Sequence, residues 1–338
     1  MRAPTRIGLI GCGLIARRSH LPAFAADPHA ELLAVSSGHI ATARAAAEQF
    51  GVPRVYENWQ EVVADPDIDA VSICTPNALH AQITIAAARG GKHVLVEKPM
   101  AVTLAEADAM LAATSVAGVV LMVAHNLRFQ PLYAAAQREL AAGAVGRIFS
   151  ARGVFGHAGP DEAWGATNDW FWREDAAGGG TLIDLGIHMA DILRWFVGEP
   201  VVEVMAMTAR AQKPTFADDN ALVLLRFAGG ALASMQASWT ARPFADRQVV
   251  VHGELGHLAL DPAAEQPLLL HLQDSAGHRS VVPELPKSGP SNSLYTHFVR
   301  AVREGVHPNS DGAESRESLA VVLAAYESAR TGRALRPG

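Results

Sequence analysis

The first third of the chain alternates short apolar runs with longer, alanine-rich stretches, and this alternation constrains the fold more than any other feature. The runs are residues 7–10, 32–35, 70–74, 93–96 and 119–123. Between them lie segments such as 40–50 and 78–89, each long enough to be a helix that carries the chain back across a sheet. Gly51 and Gly90-Gly91 stand where helix C-terminal glycines belong, because glycine adopts the left-handed conformation that ends a helix without a steric cost. Strands alternating with helices in this way form a parallel sheet covered on both faces. The sequence therefore predicts an α/β protein that opens with a doubly wound parallel domain over residues 1–124.

After about residue 145 the pattern changes. Strand-like stretches at 147–155, 201–209, 221–227, 231–239 and 248–252 are separated by turn signals, among them Gly229-Gly230 and Glu254-Leu255-Gly256. They predict a second domain, 125–338, on a largely antiparallel sheet, with one helix at 181–196 and two more at 293–304 and 314–330. The stretches at 221–227 and 231–239 carry more apolar residues than a sheet with one face in solvent accepts, so a homo-oligomer is expected.

The composition fits two domains, since 338 residues at 49% hydrophobic and 18% charged can bury a sizeable core. The formal charge of −6 comes with no long basic run, and the aromatics are not interleaved with Lys and Arg. Nucleic acid and an anionic membrane thus have no electrostatic support as partners, and a small molecule is expected. Cys12 and Cys74 lie in apolar, strand-like surroundings and read as buried thiols, with no disulfide framework. The N-terminal residues run directly into the first strand without a signal-type segment, and no stretch approaches the roughly 18 apolar residues of a membrane span. A soluble, cytoplasmic protein is expected.

Gly11-Cys12-Gly13-Leu14-Ile15-Ala16 is a G-x-G-x-x-A string that follows the first strand and opens a helix. Gly11 permits a tight turn, Gly13 lets a pyrophosphate approach the backbone, and Ala16 lets the helix pack closely while its N-terminus faces the anion. At the head of an alternating strand–helix pattern, this predicts dinucleotide binding. Three further stretches fall at the carboxyl ends of predicted strands, the edge where doubly wound sheets bind ligands. These are Ser36-Ser37-Gly38, Thr75-Pro76-Asn77-Ala78-Leu79-His80 and Glu97-Lys98-Pro99. In the last, a carboxylate can hold ribose hydroxyls and an ammonium can face a reacting oxygen, while Pro99 restrains the backbone.

A second constellation is Gly178-Gly179-Gly180-Thr181-Leu182-Ile183-Asp184-Leu185-Gly186-Ile187-His188. Asp184 and His188 are four apart and share a helix face among apolar residues. Such a histidine can exchange a proton near neutral pH, with the carboxylate orienting it or holding a substrate hydroxyl. The three glycines suggest backbone passing close to something bound. A metal could also use the spacing, but no third ligand group is evident, and none is assigned. A satisfied core His–Asp pair is the other reading of the same residues.

Together the glycine string, Thr75-Pro76-Asn77 with His80, Glu97-Lys98-Pro99, Asn126-Leu127-Arg128-Phe129, Asp184-x-x-x-His188 and the closing Tyr326-Glu327-Ser328-Ala329-Arg330-Thr331-Gly332-Arg333 resemble the Gfo/Idh/MocA oxidoreductases, across essentially the whole chain. The resemblance implies an N-terminal Rossmann domain, a C-terminal α/β domain with an open mixed sheet, and dimers or tetramers. The implied activity is NAD(P)-dependent oxidation or reduction at a secondary carbon of a sugar, inositol or related cyclic polyol. Carried over residue by residue, Lys98, Asp184 and His188 match catalytic positions. The cofactor side takes Gly11, Gly13, Leu14, Ile15, Ala16, Ser37, Gly38, Thr75, Pro76, Asn77, His80, Glu97 and Lys98, with Glu97 at the nicotinamide ribose. Asn126, Arg128, Trp172, Arg173 and Asp191 are candidates for lining the substrate site, and 157–172, with Trp164, Asp169, Trp170 and Trp172, has the composition either of a segment that stacks on a sugar ring or of a plain core loop. Ser37 falls where an NAD-preferring relative carries an acid, so NADP is expected ahead of NAD. Two other outcomes on this fold are a redox-neutral, NAD-assisted glycosidase and a non-catalytic NAD(P)-sensing regulator. The presence of Lys98 and His188 argues for an enzyme over the regulator.

Overall fold

The computed structural model describes residues 3–275, 277–286 and 293–338. By packing, the chain falls into two compact units, one of Met1–Asn126 with Gly289–Arg316 and the other of Leu127–Ser288 with Glu317–Gly338.

The first unit is a six-stranded parallel sheet of β1 (Thr5–Ile10), β2 (Ala30–Ser36), β3 (Arg54–Tyr56), β4 (Ala70–Ile73), β5 (His93–Val96) and β6 (Leu121–Val123), in the order β3-β2-β1-β4-β5-β6. The central strands are buried on both faces, as parallel strands between helix layers must be: Ile7, Leu9, Val71, Ile73, Val94 and Leu95 have no exposed surface. The order reverses between β1 and β4, the crevice where such sheets take ligands at their carboxyl ends. Local chemistry sets the helix limits. Thr103 and Glu106 form a reciprocal capping box at the start of the helix Leu104–Ala117, and Gly118 ends it with φ +64°. The strand β3 escapes sequence reading because three residues are too few to show a period.

The sequence assigns everything after residue 124 to a second domain, whereas the segment Gly289–Arg316 packs with the first unit. The reason is a set of contacts between residues far apart in the chain. Val123 N–H donates to Ser310 O at 2.9 Å, and the Ser310 hydroxyl returns to Val123 O at 2.6 Å, which extends β6. Tyr295 from the helix Leu294–Glu304 sets its ring edge against His20 and Phe24. Arg303 hydrogen-bonds the carbonyl of Ala3.

The second unit is an eight-stranded mixed sheet of β7 (Ile148–Gly156), β8 (Val201–Ala209), β9 (Asn220–Phe227), β10 (Leu232–Ser238), β11 (Asp246–Gly253), β12 (Gly256–Leu260), β13 (Leu268–Asp274) and β14 (Gly277–Val281). Its order is β14-β13-β12-β11-β7-β10-β9-β8, antiparallel except where β7 and β10 run parallel. One face carries the helix Ile187–Val197, which lies so close that a Cβ on Gly153 would stand 3.1 Å from Met189 Sδ. The opposite face aligns Met205 with Leu224 and Met207 with Leu222, all exposed, with Leu232 beside them. Among the described residues no helix is long and apolar enough to cross a membrane.

Candidate active site

At the carboxyl edge of the first sheet the two glycines of the fingerprint have different reasons to be glycine. Gly11 has φ +94°, and a Cβ there would lie 2.5 Å from the Cys74 carbonyl oxygen, so no side chain fits the turn. A Cβ on Gly13 would meet no protein atom within 4 Å. It would instead project into open space at the start of the helix over residues 14–26, the place a pyrophosphate takes at a helix N-terminus. Leu14 and Ile15 begin that helix, and Ala16 is fully buried at the start of its wide turn Ala16–His20.

Ser37 is half-buried and Gly38 exposed with open space around it, so the end of β2 carries no acid. Arg17 reaches across to the start of the helix Ile40–Phe50, where Nη2 donates to Thr42 O at 3.2 Å. Its Nε and Thr75 Oγ1, just past β4, are buried polar atoms with no hydrogen-bond partner among the described residues. Buried donors without partners are rare in native structures. An open glycine turn beside two of them fits a phosphate-bearing dinucleotide, with Gly11, Gly13, Thr75 and Arg17 as the groups that would hold it.

Pro76 leads into the short turn Asn77–Leu79, with Asn77 buried. His80 lies behind this edge: Nδ1 is 2.8 Å from Pro99 O and Nε2 3.0 Å from Thr75 O. Burial lowers its pKa even though both carbonyls favour the charged ring. Both ring nitrogens are engaged within the chain, and His80 ties together the loops that follow β4 and β5. Lys98 is half-buried in the second of these loops and precedes Pro99 through a cis bond.

Glu97 directly follows β5, with both carboxylate oxygens bonded to the chain. Oε1 is 2.9 Å from His20 Nε2, and Oε2 accepts the Lys98 N–H at 3.1 Å. Burial by itself would push this carboxyl up, but the hydrogen bond and charge of His20, with Lys98, hold it below the usual carboxylate range. Cys12 and Cys74, nearby, are inert: burial pushes the Cys12 thiol up to about 11 and the Cys74 thiol well above its ordinary value.

In the second unit Asp184 lies in the wide turn Leu182–Gly186 and His188 in the helix that follows, both nearly buried, at 6% and 7% exposure. Asp184 Oδ2 accepts the indole N–H of the fully buried Trp239 at 3.1 Å. Trp172 meets Trp239 edge-on at 5.6 Å, so an expected site-lining aromatic is one ring away from the carboxylate. The His188 ring lies 5.3 Å from that of Phe155, and His157, Trp164, Phe171 and Trp170 continue the aromatic series.

The glycine run before Asp184 is explained by the protein itself. A Cβ on Gly179 would lie 2.6 Å from the Tyr326 hydroxyl, and one on Gly180 would lie 1.9 Å from Asp218 O. The Tyr326 hydroxyl accepts the N–H groups of Gly180 and Ile183 and donates to Asp218 Oδ1, while Asp218 Oδ2 accepts Leu182 N–H. Burial raises the Asp218 carboxyl despite these donors. The glycines therefore make room for Tyr326 and Asp218, and the expectation that they pass close to a ligand is corrected.

Two of the expected substrate-lining residues also spend their charge internally. Arg128 and Asp191 form a bidentate pair at 2.8 and 2.7 Å, buried to 3% and 1% exposure. Trp195 stacks on the guanidinium and Ser318 bonds the carboxylate. Arg173 is exposed and paired with Asp175, and Asn126 is exposed. Sequence reading missed His20, Ser72, Trp239, Asp218 and the role of Tyr326, because each acts through a partner more than 50 residues away in the chain.

A family model described as an oxidoreductase family with an NAD-binding Rossmann fold, GFO_IDH_MocA, matches residues 5–125, and the GFO/IDH/MocA C-terminal domain matches 133–259. The chain is 33% identical to the 1,5-anhydro-D-fructose reductase of Ensifer adhaerens over 97% of each chain. It is 32% identical to D-xylose 1-dehydrogenase (NADP(+)) 2 of Haloferax volcanii, over 97% of this chain and 98% of that one. Among solved structures, levoglucosan dehydrogenase in complex with NADH and levoglucosan superposes with a TM-score of 0.89 at 29% identity, over 99% of each chain. With a parallel sheet open at its glycine turn, a mixed eight-stranded sheet and both family domains matched in order, the chain belongs to the Gfo/Idh/MocA oxidoreductases, a family of NAD-binding Rossmann enzymes.

Proposed function

We propose that the protein is a dehydrogenase or reductase acting on a secondary alcohol or ketone of a sugar, inositol or related cyclic polyol, with Lys98, Asp184 and His188 as its catalytic residues. The observation that carries this reading is the Asp184–His188 spacing in an otherwise apolar segment, with the carboxylate pinned by Trp239. A nicotinamide dinucleotide, when bound, supplies the hydride acceptor or donor. His188 takes the proton from the substrate hydroxyl during oxidation and returns it during reduction. Lys98 stabilises the negative charge that develops on that oxygen. Asp184, held on one side by the indole, accepts from a neighbouring substrate hydroxyl or orients His188. Lys98→Ala and His188→Ala each lower turnover by about 10²–10⁴-fold in steady-state assays, while cofactor affinity changes little. Near wild-type turnover in either variant removes that residue from the mechanism.

The cofactor is NADP(H) in preference to NAD(H). Ser37 leaves no carboxylate to repel a 2′-phosphate, and Arg17, whose Nη2 donates to Thr42 O at the start of the helix Ile40–Phe50, supplies the cation. NADPH therefore binds more tightly than NADH in a direct titration, and Ser37→Asp weakens NADPH selectively. Tighter binding of NADH by the wild type overturns the preference. The protein also works as a homo-oligomer in the cytoplasm, with a second copy on the exposed face of the second sheet, where Met207 is 75% and Leu224 60% exposed. Light scattering at micromolar concentration reads a dimer or tetramer, and a monomer contradicts this.

A further inference from the structure

His20 has no place in the mechanism above, yet it is a wholly buried titratable ring bonded at both nitrogens. Nδ1 is 2.8 Å from the hydroxyl of Ser72 in β4, and Nε2 is 2.9 Å from Glu97 Oε1 at the end of β5. Tyr295 closes the pocket, its ring edge-on at 4.7 Å. The ring therefore joins the first helix, two neighbouring strands and the helix Leu294–Glu304, all within the first unit. We propose that His20, braced by Ser72, is a positioning residue that fixes the Glu97 carboxylate in the orientation with which it receives the nicotinamide-side ribose of the cofactor. The proposal rests on the reading of Glu97 as a ribose acceptor.

An ionised carboxylate only accepts hydrogen bonds, so Nε2 must carry the hydrogen of the His20–Glu97 bond. Each carboxylate oxygen has two acceptor sites. His20 takes one on Oε1 and Lys98 N–H one on Oε2, which leaves the others for an outside donor. The Glu97 side chain keeps 14% of its surface exposed, at the carboxyl edge where Gly13 and Thr75 also lie. A flexible glutamate loses several rotatable bonds on binding, and one already held by His20 has lost them in advance.

The groups around Glu97 also make His20 responsible for its charge. They are His20 on the first helix, Cys74 on β4, His80 on the helix His80–Arg89, Lys98 on its own segment and Tyr295. Burial pushes both the Cys74 thiol and the Tyr295 hydroxyl up, so neither adds charge, and burial lowers the His80 pKa. Without His20, the burial of Glu97 is opposed by Lys98 and, more weakly, by His80. The carboxyl pKa then rises, and as pH falls through it the acceptor is lost and cofactor binding weakens. The wild-type pKa lies below the usual range, so the wild type stays ionised over the same interval.

The test is titration of NADPH and NADH into the intact protein, followed by nicotinamide fluorescence at about pH 8.5 and about pH 6, for wild type, His20→Asn, Ser72→Ala and Glu97→Gln. Relative to wild type, His20→Asn should lose about ten-fold or more in affinity for both cofactors on going to the lower pH. Ser72→Ala, which keeps the ring but removes its brace, should shift the same way by a smaller factor, and it carries the test if His20→Asn does not fold. Glu97→Gln should bind weakly at both pH values with a flat profile. If Glu97→Gln weakens binding while His20→Asn, or Ser72→Ala in its place, keeps the wild-type affinity and profile, the positioning role is overturned and the ribose reading stands. If Glu97→Gln binds both cofactors as the wild type does, the ribose reading itself fails, and the proposal with it.

Discussion

Two glycine runs in this chain look alike in sequence and are there for opposite reasons. Gly11-Cys12-Gly13 faces outward: Gly11 makes a left-handed turn under the Cys74 carbonyl, and Gly13 leaves space that no protein atom fills. Gly178-Gly179-Gly180 faces inward: Gly178 ends a short helix with φ +73°, and Gly179 and Gly180 are pressed against Tyr326 and Asp218. A glycine in the sequence therefore says only that no side chain stands there, and the structure says why. At Gly13 the absent side chain leaves open space at the start of a helix. In the second run it makes way for a hydroxyl and a carboxylate that organise the turn under Asp184.

The contrast is broken most severely at Gly180. Alanine there would put a Cβ 1.9 Å from a backbone oxygen, which no rotamer change relieves. Gly180→Ala is expected to cost about 3 kcal/mol or more in denaturant unfolding, or to prevent folding. At Gly13 the same substitution meets open space at a φ outside the left-handed region, so the unfolding midpoint stays the same or rises slightly. NADPH affinity should nevertheless fall on the order of ten-fold, about 1.4 kcal/mol. Equal stability losses at the two positions would erase the distinction. A Gly13→Ala variant that binds NADPH as the wild type does would remove the ligand from the first site.

Much of the fold was legible because local patterns carry it. The alternation of apolar runs with alanine-rich segments marks the parallel sheet, and strands with alternating burial such as β9, where Ala221, Val223, Leu225 and Phe227 point inward, mark the mixed one. β3 escapes because it has three residues and β14 because it is exposed along most of its length, and β12 and β13 are the other strands without a sequence signal. The return of Gly289–Arg316 to the first unit depends on Ser310 meeting Val123, a contact 187 residues apart that no periodicity announces. The site divides in the same way. Gly11, Glu97, Asp184 and His188 announce themselves by residue type and spacing. Arg128 and Asp191 also look like substrate ligands by type, but they satisfy each other in a buried, bidentate pair, and burying either alone would cost several kcal/mol. His20 and Trp239 carry no signal at all, since their meaning lies in Glu97 and Asp184.

The most direct measurement is net turnover. The protein is mixed with NADP(+) or NAD(+) and a panel of inositols, aldoses and anhydro sugars, or with the reduced cofactor and keto-sugars, and nicotinamide absorbance is followed at steady state beside His188→Ala. At least one substrate should give sustained, stoichiometric reduction or oxidation of the cofactor that His188→Ala lowers by orders of magnitude. If the cofactor binds tightly while its absorbance shows no net change with any member of the panel, hydride transfer to or from a polyol is not the reaction this protein performs.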